Sequence, residues 1–301
     1  MLRAKVHGVA ILERRQRCHY RSRGDDRRCG ADDPEEAVMS HTPTRLFFDG
    51  AAYERLMGRW SRIAGDDFLD WLAPPTGLRW LDVGCGNGAF TERAMRFAPV
   101  EMQGIDPSEG QLAYARTRPA TKRAVFRQGD AQALPYADSS FDIVTMALAI
   151  SFVPDPAKGI AEMARVAKPG GVVATYMWDQ PGGGLPMEVL RRALATLGVS
   201  AAGAPHPEAS TAAEMRRLWR AAGLQAVETR TIEIETTYSD FDDFWDSNVA
   251  AGSPVANQIA TLPHDPVDRI KQDLRKNLRP DEGGRIVLPA RANAVKGRRP
   301  E

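Results

Sequence analysis

The sequence predicts an α/β protein with a doubly wound parallel sheet, and three observations predict it. Apolar runs of about five residues alternate with helical stretches of about ten between Arg79 and Trp178. The first run, Leu81 to Val83, breaks into glycines at 84, 86 and 88, the pattern of a strand entering a tight turn before a helix. Later runs stop at acids or glycines, Asp106 and Gly129-Asp130, where a parallel sheet places its ligand-binding loops.

Taken in order, Ala51 to Leu72 spaces Tyr53, Leu56, Met57, Trp60, Ile63, Phe68, Leu69 and Leu72 as two helices that end at Pro74-Pro75-Thr76-Gly77. Arg79 to Val83 is the first strand and Ala89 to Phe97 its helix. Glu101 to Ile105 is the second strand, and Ser108 caps a helix through Gln111, Leu112 and Ala115. Ala124 to Gln128 is the third strand and Phe141 to Ala149 the fourth. A helix from Ala157 to Val166 follows, stopped by Lys168-Pro169-Gly170-Gly171, and Val172 to Trp178 is the fifth strand. Beyond it come a glycine loop (182 to 184), helices at Met187 to Leu197 and Thr211 to Ala222, and an alternating strand at Ala226 to Glu235. A mostly helical insertion at Phe241 to Leu278 precedes a last strand near Arg285 to Ala292.

A chain of 301 residues suits one large α/β domain with insertions. Apolar residues make up 43%, charged residues 26%, and the formal net charge is +1, so nothing global points to nucleic acid or a membrane. The longest uncharged apolar stretch, Ile143 to Pro154, is too short to span a bilayer, and a cytoplasmic protein is expected. Cys18, Cys29 and Cys85 form no metal-ligand spacing, and no metal is expected. Residues 1–38 are Arg-rich and then acidic, without an amphipathic period. They are expected to be a disordered extension or a mis-assigned start before Met39. The basic residues Arg291, Lys296, Arg298 and Arg299 read as a solvated tail.

The strand ends carry the chemistry. Gly84, Gly86 and Gly88 allow positive φ and close approach of backbone to a ligand, with Cys85 a small residue between them. The spacing is G-x-G-x-G. The dinucleotide fingerprint G-x-G-x-x-G needs a further glycine where Ala89 or Thr91 stands, which argues against a nicotinamide-dependent oxidoreductase. Asp82 can balance an ammonium. Asp106, eighteen positions beyond Gly88, suits ribose hydroxyls, because a carboxylate accepts from both at once. An Asx turn before Pro107 accounts for it equally well. Gly129, Asp130 and Ala131 offer a carboxylate and a backbone amide for adenine, or an ordinary polar turn. Ala147 brings a small apolar side chain to the fourth strand end.

In order along the chain, Asp82 to Gly88, Gly104-Ile105-Asp106-Pro107-Ser108, Gly129 to Pro135 and Phe141-Asp142-Ile143-Val144 resemble motifs I to IV of the class I S-adenosylmethionine-dependent methyltransferases. Glu162 to Gly171 is similar to the stretch before strand five in the small-molecule branch that includes the ubiquinone and menaquinone C-methyltransferases, the type 11 methyltransferase domain. The resemblance covers about Phe68 to Asp179. It implies a Rossmann-like, mostly parallel seven-stranded sheet with the last strand antiparallel, and S-adenosyl-L-methionine as methyl donor. The donor-binding residues it implies are Asp82, Gly84, Cys85, Gly86, Gly88, Asp106, Pro107, Ser108, Gln111, Gly129, Asp130, Ala131 and Ala147. Related enzymes cover the donor with a Tyr or Arg near the N-terminus, which Tyr53 or Arg59 would supply here. Trp60 fits a packed helical face better.

The expected organisation is lid helices at 39–75, a donor-binding core at 76–180, and the rest of the sheet at 181–301 with insertions at about 185–222 and 241–278. The expected partner is a small molecule methylated at O, N or C, with no nucleic acid and no membrane span. The apolar lid helices are able to enclose a hydrophobic acceptor. An activated donor needs positioning more than acid–base help. His206, His264, Trp178 and Asp179 lie toward the acceptor side, and none is assigned as a base. A module that binds the donor and transfers nothing is the alternative the residues leave open.

Overall fold

Arg79–Val83 (β1) buries Trp80, Leu81 and Val83, and Phe141–Ala147 (β4) buries Ile143, Val144 and Met146, the near-continuous apolar runs of strands covered on both faces. The computed structural model describes residues 58–198, 203–249 and 254–301, all within one unit, Arg45–Glu301. The expected N-terminal extension, Tyr53 and the first lid helix lie outside the described residues. Seven strands form one sheet in the order β3-β2-β1-β4-β5-β7-β6, with β2 at Glu101–Asp106, β3 at Ala124–Gln128, β5 at Ala167–Trp178, β6 at Gln225–Tyr238 and β7 at Ile286–Arg298. β1 to β5 pair in parallel, and β7 runs antiparallel to both β5 and β6.

Helices cover both faces. On one lie α1 (Arg59–Leu72), α2 (Ala89–Ala94, extended by a 3-10 turn through Phe97) and α5 (Glu188–Ala195). The insertion helices α7 (Phe241–Asn248), α8 (Pro254–Ile259) and α9 (His264–Asn277) join them. They close over Trp60, Phe68, Trp80, Phe90, Tyr176 and Trp178. On the other face α4 (Pro156–Val166) and α6 (Ala212–Ala221) bury Ile160, Met163, Met215 and Trp219 against β4 and β5. The helix α3 (Glu109–Thr117) packs Leu112 and Ala115 on Phe126 and Cys85. Helix starts follow side-chain capping: Ser108 accepts from Gln111 N, Asp155 from Lys158 N with Pro156 in the first turn, and Thr211 from Glu214 N. Among the described residues no helix is long and apolar enough to cross a membrane.

The expected solvated tail is corrected by this arrangement. β7 is longer than the sequence pattern suggests and fills an interior position, from Val172↔Arg298 to Trp178↔Ala292 on one side and from Gln225↔Arg298 to Tyr238↔Ile286 on the other. Ala290, Ala292 and Ala294 are small enough to lie beneath the aromatic layer. The basic residues all find partners: Arg291 reaches Asp179 (2.7 Å), Lys296 lies over the Trp71 ring (4.4 Å), Arg298 donates to Gly170 O (3.0 Å) and Arg299 to Arg165 O (2.7 Å). An alanine-rich stretch interrupted by charge lacks the β-branched signature of a strand, which is why its period was masked.

Candidate functional site at the carboxyl ends of β1, β2 and β4

The glycine turn after β1 is folded onto the end of β2. Gly84 N and Cys85 N both donate to Ile105 O (2.7 and 3.1 Å), and Gly86 N donates to one Asp106 oxygen while Ser108 N donates to the other, each at 2.9 Å. Gly129 N donates to Asp106 O (3.1 Å), so the ends of β1, β2 and β3 meet around Asp106. The β4 end joins them through Ala149: a Cβ on Gly84 would lie 2.6 Å from its Cβ. Gly84 and Gly86 have φ of 68° and 49°, so both conditions for glycine hold at Gly84. Just before Ala149, Leu148 has φ 56°, a strained backbone for a branched residue at a strand end.

Asp82 is fully buried on the β1 face that carries α2. Thr91 of α2 donates to its Oδ2 (2.6 Å), and its Oδ1 has no hydrogen-bond partner. Burial pushes its carboxyl up to about 7, the Thr91 hydroxyl opposing and the nearby Asp106 charge adding to the rise. Asp106 is also raised, by burial first, while the amides of Ser108 and Gly86 pull it down. Gln111, buried beside this turn, places Oε1 3.9 Å from where a Gly86 Cβ would stand.

Several expected residues also have partners within the fold. The Cys85 side chain packs with Phe126 and Leu112, and burial pushes its thiol well up. A Cβ on Gly88 would meet Ala115 at 3.0 Å, which makes this glycine a contact between helices. Ser108 is a helix cap, and Pro107 is exposed with its carbonyl bonded by Gln128 Nε2 (2.9 Å). Asp130 is exposed and accepts from Gln132 N (2.9 Å) and its side-chain amide, and Ala131 packs toward Gly159 of α4. Ala147 pairs with Tyr176 at the β4 end. Arg59 is not brought to the turn. Its guanidinium donates to Thr237 O (2.7 Å) and stacks on Trp60 (4.0 Å), and Trp60 is a packed aromatic against Tyr238.

One residue the sequence reading missed braces the turn from behind. Arg118, buried past the end of α3, donates from Nε to Asn87 O (2.7 Å) and pairs through Nη1 with Glu92 (2.6 Å). Its signal was an arginine directly before Pro119, where a helix must stop.

Residues 81–175 match the family model described as a methyltransferase domain. A malonyl-[acyl-carrier protein] O-methyltransferase of Erwinia pyrifoliae is 32% identical over 193 residues, covering 58% of this chain and 72% of that protein. The chain belongs to the methyltransferase family. A ubiquinone/menaquinone biosynthesis C-methyltransferase of Dinoroseobacter shibae is 36% identical over 130 residues, 42% of this methyltransferase chain and 52% of the relative. The chain spans about half the length of several of the curated relatives it matches. The fold is that of the YcgJ protein from Bacillus subtilis (TM-score 0.54, 21% identity, 79% of this chain and 99% of that one). It is also that of a Haemonchus contortus phosphoethanolamine N-methyltransferase crystallised with S-adenosyl-L-methionine (TM-score 0.52, 19% identity, 83% and 56%).

Proposed function

We propose that this chain transfers a methyl group from S-adenosyl-L-methionine to a small-molecule acceptor at O, N or C. The observation that carries the reading is the buried, partnerless Oδ1 of Asp82 beside a turn whose Gly86 has only Gln111 Oε1 within 4 Å of where a Cβ would stand. An unpaired buried carboxylate oxygen is costly, and a ligand ammonium satisfies it. Asp106 accepts two amides, and a carboxylate has about four lone-pair sites, which leaves room for ribose hydroxyls. Gly129 and the Asp130 turn lie at the next strand end for the adenine. When bound, the donor supplies a methyl group already activated by its positively charged sulfur.

The protein's own contribution is then positional. Asp82 holds the amino-acid end, the glycine turn sets its depth, and the strand ends of β4 and β5 hold the acceptor in line and exclude water. Of the candidate bases, Asp179 pairs with Arg291, while His206 contacts Glu208 through Nδ1 alone (3.2 Å). Titration calorimetry with S-adenosylhomocysteine tests the reading. Saturable 1:1 binding is expected, with none for NADH; no heat at millimolar S-adenosylhomocysteine overturns it.

A further inference from the structure

The link from β3 to β4, residues 129–140, carries turns but no helix, unlike the other links between successive parallel strands, where α2, α3 or α4 intervenes. A loop without a helix must find partners for its backbone groups elsewhere. Here α4 supplies them. Leu134 N donates to Glu162 Oε2 (2.8 Å), and Arg165 Nη2 donates to Leu134 O and Nη1 to Tyr136 O, each at 2.9 Å. The same guanidinium pairs with Asp138 (2.7 Å) and is held by Glu162 itself, Nε to Oε1 at 2.7 Å and Nη2 to Oε2 at 2.8 Å. Arg165 chiefly, with the Leu134 amide, holds the Glu162 carboxyl below its usual range, so the pair is ionised at neutral pH. Main-chain bonds finish the seam: Ser139 N donates to Arg165 O (3.1 Å) and Ser140 N to Val166 O (2.8 Å).

What this pair holds adjoins the strand end that faces the adenine in the reading above. Ala133 N donates to Asp130 O (3.1 Å), which closes a turn over Asp130 to Ala133 directly onto Leu134. At the other end Gly129 N is bonded to Asp106 O (3.1 Å), and a Cβ on Gly129 would lie 2.6 Å from Ile105 Cδ1. The turn therefore has two anchors, the end of β2 and the α4 pair. Between them the exposed Asp130 carboxylate is bonded to nothing farther along the chain than Gln132 among the described residues, so its place depends on those anchors.

We propose that Glu162 and Arg165 are positioning residues that set the selectivity for the donor's base: by fixing Leu134 they hold the Asp130 turn where its carboxylate accepts from the adenine amino group and a main-chain N–H beside it donates to a ring nitrogen. The inference rests on the methyl-transfer reading and deepens it. A base with a carbonyl in place of the amino group presents an acceptor to the carboxylate and a ring N–H to the main-chain donor. Hypoxanthine is therefore rejected on both counts. A displaced turn loses that rejection, because Asp82 and Asp106 still hold the rest of the ligand and the two bases then bind alike.

The test is titration calorimetry of the full chain with S-adenosylhomocysteine and with S-inosylhomocysteine. The wild type is expected to prefer the adenine ligand by roughly tenfold or more, as for a hydrogen bond to a charged group. Arg165→Gln is expected to lose most of that preference, through weaker S-adenosylhomocysteine binding. Arg165→Lys, which keeps the charge without the fork that spans Leu134 O and Tyr136 O, is expected to fall in between. A purely structural brace would lower the thermal midpoint and leave the ratio of the two affinities where it was. An unchanged ratio in both Arg165→Gln and Arg165→Lys, or a wild type that binds the two ligands alike, overturns the inference. If Arg165→Gln fails to fold, Arg165→Lys and the near-isosteric Glu162→Gln decide by the same ratio. Failure of the wild-type chain to bind S-adenosylhomocysteine at all strikes the underlying methyl-transfer reading itself.

Discussion

On the methyl-transfer reading proposed above, Asp82 is the residue at which fold stability and donor binding oppose each other. Its carboxyl ionises near 4 in an unfolded chain and at about 7 in the fold, so between those values the folded protein holds the extra proton. The sign is that of a raised acid: stability falls as pH rises through this window and levels off above it. A bound ammonium favours the charged form, so donor binding releases a proton below pH 7. S-adenosylhomocysteine affinity is expected to strengthen from pH 6 to about 7.5 and then flatten, by calorimetry in buffers of differing ionisation heat. Asp82→Asn should weaken binding, remove that dependence and raise the thermal midpoint at pH 8.

Among the elements, the glycine turn depends on its neighbours as much as on its glycines. Arg118 clamps Asn87 O and Glu92 from the α3 side, and Arg118→Ala leaves both without that partner, a loss of about 2 kcal/mol for charged hydrogen bonds. The expected outcome is a higher donor KM with kcat and acceptor KM little changed, and partial recovery in Arg118→Lys, which restores the charge near Glu92 without the planar fork. How much was legible follows the same division. β1 and β3 have the bounds their apolar runs suggest, and Ser108 is the cap its position predicts, because local patterning decides such features. Gly84, Gly86 and Asp106 meet as the motif spacing implies. Arg118 and the packing role of Gly88 depend on contacts between elements about thirty residues apart, which no local window contains, and the Thr91 bond to Asp82 depends on how the turn between them folds. The hydrogen bond of Arg59 to Thr237 O, far along the chain, lies outside any such window as well.

For the whole molecule, β7 joins the sheet's two parts. It is β6's neighbour in the sheet and separates it from β5, and Arg291 on it ties to Asp179 and Gly182 O just beyond the end of β5. Deleting 286–301 is therefore expected to abolish the cooperative thermal transition and donor binding together, by calorimetry and circular dichroism. A surviving transition would show that β1 to β5 fold without it.

The same strand order bears on how the protein is made. β6 emerges from the ribosome before α7, α8 and α9, yet its partner in the sheet, β7, follows all three. Throughout that interval a fourteen-residue strand rich in β-branched residues stands without a neighbour, open to pairing with another nascent chain. Glu228, Arg230, Glu233 and Glu235 along it place charge where such edge-to-edge association would begin.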